Sequence, residues 1–209
     1  MLHLLFMLIG YLVGCFQTAY IVGKIAGKID IREHGSGNAG MTNVVRVMGA
    51  KAGAVVLLAD VAKAALAVML ANYVFYGRAF GLEGIELLPG LLTGFGVVLG
   101  HNFPFYMGFK GGKGVASSIG ALLMFDWRIV FVAAAIGIVA LIITKYISVA
   151  SLVAFLAFAV AVTIIYSQFE IILVAWVVAA TGVFTHRTNI KRLIEGSESK
   201  FLSKKGKKP

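Results

Sequence analysis

The sequence predicts an all-α integral membrane protein, and its composition and patterning support this fold class. Of the 209 residues, 60% are hydrophobic and only 13% are charged, whereas a soluble domain carries about 25% charged residues. The mean hydropathy is +0.93, and the apolar residues form long continuous runs. These runs lack the ten-residue alternation of polar and apolar side chains that a membrane β-barrel shows. Helices are therefore the expected spanning elements.

Seven apolar segments define the expected helices in chain order. They cover residues 4–23, 52–76, 87–99, 115–125, 129–144, 147–165 and 171–184. A helix needs about 20 residues to cross the hydrocarbon core, so the first, second and sixth segments are long enough, while the third, fourth and seventh are short. We predict seven transmembrane helices, some of them short. Five spanning helices, with the third and fourth segments forming a re-entrant pair, is the alternative.

The first segment contains Cys15, which is the only cysteine in the chain, so no intramolecular disulfide can form. Residues 12–15 also resemble the cleavage box of a bacterial lipoprotein signal. A signal peptide carries its positive charge before the apolar run, whereas Lys24, Lys28 and Arg32 follow this one. We therefore interpret the segment as a retained helix.

The basic residues between the segments predict the orientation of the protein. Connections after the first, third, fifth and seventh segments contain most of them: Lys24, Lys28, Arg32, Arg46, Lys51, Lys110, Lys113, Lys145 and Arg187 onward. The opposite connections contain only Arg78 and Arg128, together with four acidic residues. By the positive-inside rule, the N-terminus is outside and the C-terminus is cytoplasmic. The net charge of +10 then marks the cytoplasmic side of a membrane protein, and we do not expect nucleic-acid binding.

Residues 1–198 are expected to form a single membrane domain, and residues 199–209 a basic, disordered cytoplasmic tail. No clear internal repeat is present, which weighs against a transporter built from inverted halves. Asp60 and Lys63 lie three residues apart within the second segment, on one helix face. Intramembrane charges are often functional, but we assign this self-neutralised pair a structural role. Pairs of glycines at helical spacing predict close helix packing: Gly10/Gly14, Gly90/Gly94 and Gly96/Gly100.

A glycine-rich loop at residues 108–114 precedes the fourth segment and contains Lys110 and Lys113. Glycine lets the backbone approach a ligand closely, and a helix beginning at Val115 would present unpaired N–H groups and the positive end of its dipole. Together with the two lysines, this pattern predicts a phosphate cradle, although the spacing is not that of a P-loop. A flexible basic loop against lipid headgroups is the alternative.

A second glycine-rich loop, residues 36–43, offers hydroxyl and amide donors, and Arg46 follows about one helical turn later. A guanidinium group suits phosphate or carboxylate, although Thr42 or Asn43 alone could be an ordinary helix N-cap. His101 and His186 each end a helix and are each followed by an asparagine within three residues. These clusters predict anion binding beside lipid.

Two other kinds of site are disfavoured. Neither histidine has a cysteine or histidine partner at the spacing of zinc ligands, so no metal site is predicted. Ser36 lacks a nucleophile-elbow sequence, so a serine-hydrolase triad is not predicted either.

Three ordered motifs resemble those of the bacterial membrane glycerol-3-phosphate acyltransferases that use acyl phosphate as donor. The first comprises Ser36, Gly37, Asn38, Gly40, Thr42, Asn43 and Arg46. The second comprises Gly100, His101, Pro104, Phe109, Lys110, Gly111, Gly112, Lys113, Gly114, Val115 and Ala116. The third comprises His186, Arg187, Asn189, Ile190, Arg192, Leu193, Gly196 and Glu198. The likeness extends from the first helix to about Glu198, and three motifs in order are far more specific than any one.

The resemblance implies transfer of an acyl group from acyl phosphate to the 1-hydroxyl of sn-glycerol 3-phosphate, giving lysophosphatidic acid and inorganic phosphate. It implies a multi-pass protein of the bacterial plasma membrane, with its active site facing the cytoplasm. No metal, other cofactor or covalent acyl-enzyme is expected. A membrane transporter or exchanger of an organic phosphate is the alternative, which would need a charged path across the membrane.

The same resemblance implies the site residues. The catalytic set is Ser36, Arg46, Lys113, His186 and Asn189. The residues expected to bind acyl phosphate are Gly37, Asn38, Gly40, Thr42, Asn43, His101, Lys110, Gly111, Gly112 and Gly114. The hydroxyl proton could pass to His101, to His186 or to a phosphate of the substrate itself.

Overall fold

The computed structural model describes residues 2–78 and 83–201, and every regular element in these ranges is helical. The α-helices are α1 (Leu2–Gly14), α2 (Thr18–Ala26), α3 (Met41–Met48), α4 (Ala50–Tyr76), α5 (Leu88–Asn102), α6 (Val115–Thr144), α7 (Ile147–Ile165), α8 (Phe169–Thr185) and α9 (Arg187–Ile194). Short 3-10 turns occur at Ile31–Glu33, Gly84–Leu87 and Phe105–Met107. The helical fold class is confirmed for the described residues.

By length and composition, four helical stretches of the described chain could cross a membrane. They are His3–Ala26, Ala50–Tyr76, Val115–Thr144 and Ile147–Ile165. A fifth is obtained if α8 and α9, which are bent by 55° relative to each other, count as one broken span. The count of seven transmembrane helices and the orientation of the termini therefore stay predictions.

The fourth and fifth predicted segments both lie within α6, which is interrupted at the point where they were separated. Asp126 has non-helical backbone angles (φ −152°, ψ 101°). Its side chain accepts a hydrogen bond from the N–H of Arg128 at 3.0 Å, as the N-cap of a new helix does. Thus α6 consists of two helical pieces joined at a side-chain cap.

The first predicted segment is also interrupted, because α1 ends at Gly14 and α2 begins at Thr18. The interruption frees backbone carbonyls that a continuous helix would have bonded. Lys63 Nζ lies 2.7 Å from Phe16 O and 3.4 Å from Gly14 O, and Gln17 Nε2 also contacts Gly14 O. Since lipid offers no donors for such carbonyls, these side chains allow the helix to break.

Glycines bring α1 and α5 into backbone contact. A Cβ added at Gly10 would lie 2.2 Å from Thr93 O, and one added at Gly96 would lie 2.1 Å from Met7 O. A Cβ added at Gly14 or at Gly100 would likewise overlap a backbone carbonyl of the facing helix. The predicted close packing is present at these four glycines, and it fixes the end of α5 from which the glycine-rich loop departs.

The bundle is apolar both inside and on its outer surface, unlike a soluble protein. Its interior contains packed aromatic and aliphatic side chains, including Phe125 and Phe158, whose rings lie 6.1 Å apart at an angle of 71°. Its outer surface is also apolar, with Leu66, Phe131 and Ile143 each more than 60% exposed. A continuous apolar surface of this kind is covered by lipid in a membrane protein.

We predict that Gly10→Leu lowers the free energy of unfolding by about 1–3 kcal/mol or more, because the new side chain overlaps the backbone of α5. Thermal unfolding in detergent measures the effect. Ala135→Leu is the matched control, since Ala135 is exposed on α6 and an exposed substitution changes stability by about 0.5 kcal/mol or less. Equal melting temperatures for the two variants would contradict the backbone contact.

Candidate active site

One open cleft, with a cavity of about 200 Å³, brings the three sequence clusters together. Its walls are the loop after the first 3-10 turn, the end of α5, the glycine-rich loop and the start of α9. The lining residues are Ser36, Gly37, Asn38, Asn102, Phe103, Phe109, Lys110, Gly111, Gly112, Lys113, Thr185, Arg187, Thr188 and Arg192. Segments about 150 residues apart in sequence thus share one polar site.

Asn43 shapes the first loop from within. Its side chain is buried, and Oδ1 accepts a hydrogen bond from the N–H of Ser36 at 2.8 Å. Its Nδ2 donates to the carbonyls of Ile31 and His34 at 3.0 and 2.9 Å. The amide of Asn43 therefore holds the loop that presents Ser36, while its predicted contact with acyl phosphate stays a prediction.

The glycine-rich loop is tied to the end of α5 through its backbone. The N–H of Gly111 donates to Asn102 O at 3.1 Å, and the N–H of Gly112 donates to His101 O at 3.0 Å. These two N–H groups are therefore already bonded within the protein. The N–H groups that an α-helix cannot bond internally lie in the first turn of α6, directly after the loop.

A chain of hydrogen bonds links the glycine-rich loop to the C-terminal motif. Lys113 Nζ donates to Asn189 Oδ1, and Asn189 Nδ2 donates to Glu198 Oε1 at 2.7 Å. Glu198 also accepts from Ser148 Oγ at 3.0 Å and from Arg192 Nε at 2.7 Å. The carboxylate thereby orients the amide of Asn189 so that its oxygen faces Lys113.

The charges in the cleft are unbalanced. The lining residues include Lys110, Lys113, Arg187 and Arg192 but no carboxylate. Burial, opposed by the charge of Glu198 and assisted by the charges of Arg192 and Arg46, lowers the pKa of Lys113 to about 8. Burial alone would raise the pKa of Glu198, but hydrogen bonds led by that from Arg192 outweigh it, so the net shift is downward. A positive cleft of this kind attracts anions.

His186 is buried at the junction of α8 and α9. Its Nδ1 lies 2.8 Å from Gly182 O, so in the neutral ring Nδ1 carries the proton and the Nε2 lone pair is available. Burial lowers the pKa of His186 to about 4, and the charge of Lys113 contributes to the shift. The ring is therefore neutral at physiological pH.

Several predicted site residues lie outside the cleft lining. Arg46 is exposed on α3, Thr42 is half-buried and Gly40 precedes the first turn of that helix. His101 is buried at the end of α5. Residues that line the cleft without belonging to the predicted site set are Asn102, Phe103, Phe109, Thr185, Arg187, Thr188 and Arg192. Phe109, Arg187 and Arg192 belong to the sequence motifs, and the other four lie within two residues of a predicted site residue.

Comparison with known proteins identifies the family. A family model described as glycerol-3-phosphate acyltransferase matches residues 4–196. The chain belongs to the glycerol-3-phosphate acyltransferase family. The resemblance of the three motifs is thus confirmed, and the protein is an acyltransferase of the membrane.

Relatives and solved structures agree with this membership. The glycerol-3-phosphate acyltransferase of Thermoanaerobacter pseudethanolicus is 40% identical over 197 residues, which cover 94% of each chain. That of Clostridioides difficile is 40% identical over 203 residues, which cover 97% of each chain. The fold is similar to that of PlsY, an integral membrane glycerol 3-phosphate acyltransferase, in the crystal structure of its glycerol 3-phosphate form. The TM-score is 0.84, the sequence identity is 30%, and the match covers 95% of both chains. The transporter alternative finds no support in these relatives.

We predict that Glu198→Ala reduces the turnover of this acyltransferase about a hundredfold. Without the Glu198 carboxylate, the Asn189 amide no longer holds Lys113 in position, and a small misplacement of a group in an active site lowers the rate by about this factor. Steady-state kinetics measure the loss. Glu195→Ala is the matched control, since Glu195 is exposed and its pair with Lys191 at 3.8 Å contributes little. Normal turnover of the Glu198 variant would show that the carboxylate does not orient the site.

Proposed function

We propose that the enzyme transfers an acyl group from acyl phosphate to the 1-hydroxyl of sn-glycerol 3-phosphate, releasing lysophosphatidic acid and inorganic phosphate. The observation that carries the proposal is the convergence of Lys113, Asn189 and the Ser36 loop around one basic cleft. Both substrates carry phosphate, and the cleft supplies four cationic side chains. The related PlsY has been solved in a glycerol 3-phosphate form and in a lysophosphatidic acid form, which are the acceptor and product in this reaction.

Each substrate is assigned its own set of residues. Arg46, Lys113, His186 and Asn189 hold glycerol 3-phosphate, and Ser36 lies near the reacting hydroxyl. The set for acyl phosphate is Gly37, Asn38, Gly40, Thr42, Asn43, His101, Lys110, Gly111, Gly112 and Gly114. The exposed position of Lys110 at the cleft rim and the apolar outer surface suit a donor whose headgroup binds in the cleft while its chain stays in lipid.

The proposed reaction is a direct acyl transfer without a covalent acyl-enzyme, and it depends on stabilisation of negative charge. The 1-hydroxyl oxygen attacks the carbonyl carbon, and the bond from that carbon to the phosphate oxygen breaks. Negative charge develops on the carbonyl oxygen and on the departing phosphate, where cations and the free N–H groups at the start of α6 stabilise it. The proposed route involves no metal ion.

The hydroxyl proton is best accepted by a phosphate group of the substrates. His101 is a poor acceptor, because its Nδ1 lies 3.2 Å from Lys63 Nζ and accepts from that ammonium. His186 has a free Nε2 lone pair, but a pKa of about 4 makes it a weak base at neutral pH. A phosphate monoester has a second pKa of about 6, which is better matched to the reaction.

The placement in the membrane follows the charge distribution of the sequence. We propose seven transmembrane helices, an outside N-terminus and a cytoplasmic cleft in the bacterial plasma membrane. The short α5 and the cap at Asp126 within α6 support separate spans in that region. Of the predicted basic tail, Phe201 donates its N–H to Lys145 O at 2.7 Å, while residues 202–209 lie outside the described residues.

An assay with purified protein tests the reaction. We predict that inorganic phosphate and lysophosphatidic acid form only when acyl phosphate and glycerol 3-phosphate are both present, and that EDTA has no effect. Phosphate release is followed colorimetrically and the lipid by mass spectrometry. Replacing acyl phosphate by acyl-CoA is the control for the donor. Turnover with acyl-CoA, or loss of turnover in EDTA, would contradict the proposal.

The low pKa of Lys113 predicts an alkaline limit to activity. Its charge is complete well below pH 8 and is lost as the pH rises through about 8, so kcat/KM should fall about tenfold per pH unit above that value. Lys113→Ala should abolish turnover. In Lys113→Arg, whose guanidinium stays ionised, any residual activity should lack the alkaline fall. An active alanine variant, or an arginine variant that keeps the same fall, would rule out this role.

A further inference from the structure

Three ionisable side chains form a cluster inside the bundle, beneath the cleft. The side chains of Asp60 and Lys63 on α4 are 1% and 9% exposed, and that of His101 on α5 is 4% exposed. Lys63 Nζ lies 2.8 Å from Asp60 Oδ1, and Thr18 Oγ1 donates to the same oxygen at 3.1 Å. Burying a charged group is unfavourable unless it is paired, so each charged member of the cluster depends on its partners.

The contacts of Lys63 determine the tautomer of His101. An ammonium group has three N–H donors and no acceptor. Its three shortest contacts are Phe16 O at 2.7 Å, Asp60 Oδ1 at 2.8 Å and His101 Nδ1 at 3.2 Å. Because Lys63 can only donate, Nδ1 of His101 must accept, and the proton of the neutral ring is on Nε2.

The Nε2 atom of His101 lies where the two glycine-rich loops meet. A Cβ added at Gly112 would be 2.0 Å from this nitrogen and 2.9 Å from Ala39 O of the first loop. The backbone of the same histidine also holds the loop, since His101 O accepts from the N–H of Gly112 and from Gln17 Nε2, both at 3.0 Å. The ring of His101 therefore packs directly against Gly112 of the glycine-rich loop, and its carbonyl holds the same loop.

We propose that Lys63 is a positioning residue for the acyl-phosphate site. It holds His101 with Nε2–H directed toward the junction of the two loops, and Asp60 keeps the ammonium in place. The Asp60–Lys63 pair thus acts on the cradle through His101 and is more than a neutralised structural pair. The inference rests on the proposed function, because it takes the glycine-rich loop as the binder of acyl phosphate.

The test removes both charges at once. Lys63→Met alone leaves the buried carboxylate of Asp60 without its cationic partner, and this variant is expected to unfold. The informative variant is therefore Asp60→Asn with Lys63→Met. It should melt several degrees below the wild type, because Phe16 O loses its Lys63 donor, and below that transition the KM for acyl phosphate should rise about tenfold. The KM for glycerol 3-phosphate should stay unchanged. Thr93→Val is the control, since Thr93 is buried on α5 and its hydroxyl donates only to Pro89 O.

A second comparison asks whether Lys63 acts through His101. In a His101→Gln background, adding the Asp60→Asn and Lys63→Met substitutions should cause no further rise in the KM for acyl phosphate, because effects that pass through one residue are not additive. Additive effects, or a folded double variant with the wild-type KM, would overturn the positioning role and leave the proposed function intact. A wild-type protein without turnover on acyl phosphate and glycerol 3-phosphate would overturn both.

Discussion

Lipid offers no hydrogen-bond partners to a carbonyl or N–H that leaves the helical pattern, and at two interruptions of helices in this protein a side chain replaces the lost bonds. Between α1 and α2 the ammonium of Lys63 and the amide of Gln17 take this role. Within α6 the carboxylate of Asp126 caps the second helical piece. At these two points a polar side chain therefore stabilises the place where the helical pattern is interrupted.

The same constraint links packing to chemistry. Glycines let α1 and α5 touch along their backbones, which fixes the last carbonyls of α5. Those carbonyls, on His101 and Asn102, hold the N–H groups of Gly111 and Gly112. At the other wall of the cleft, Glu198 orients Asn189 toward Lys113. The basic cleft is thus supported from two sides by groups that themselves need not touch a substrate.

The structure changes the interpretation of individual residues more than that of the fold. The amide of Asn43, which the motif resemblance assigns to acyl phosphate, bonds to the backbone of its own loop. The N–H groups of Gly111 and Gly112, two glycines of the predicted cradle, donate to carbonyls of α5. Motif residues are recognisable in the sequence by type and spacing, whereas the direction in which each side chain points depends on neighbours that are distant along the chain.

The sequence by itself determined the helical membrane class, the glycines at which helices pack closely and the family, because apolar run length, glycine spacing and ordered motifs are local properties of the chain. Only the tertiary structure decided that Ser148, 50 residues before Glu198, joins the hydrogen bonds that support Asn189. It also decided that Lys63 reaches His101 on another helix. Such contacts result from how helices cross and break in three dimensions, and local patterning does not specify that geometry.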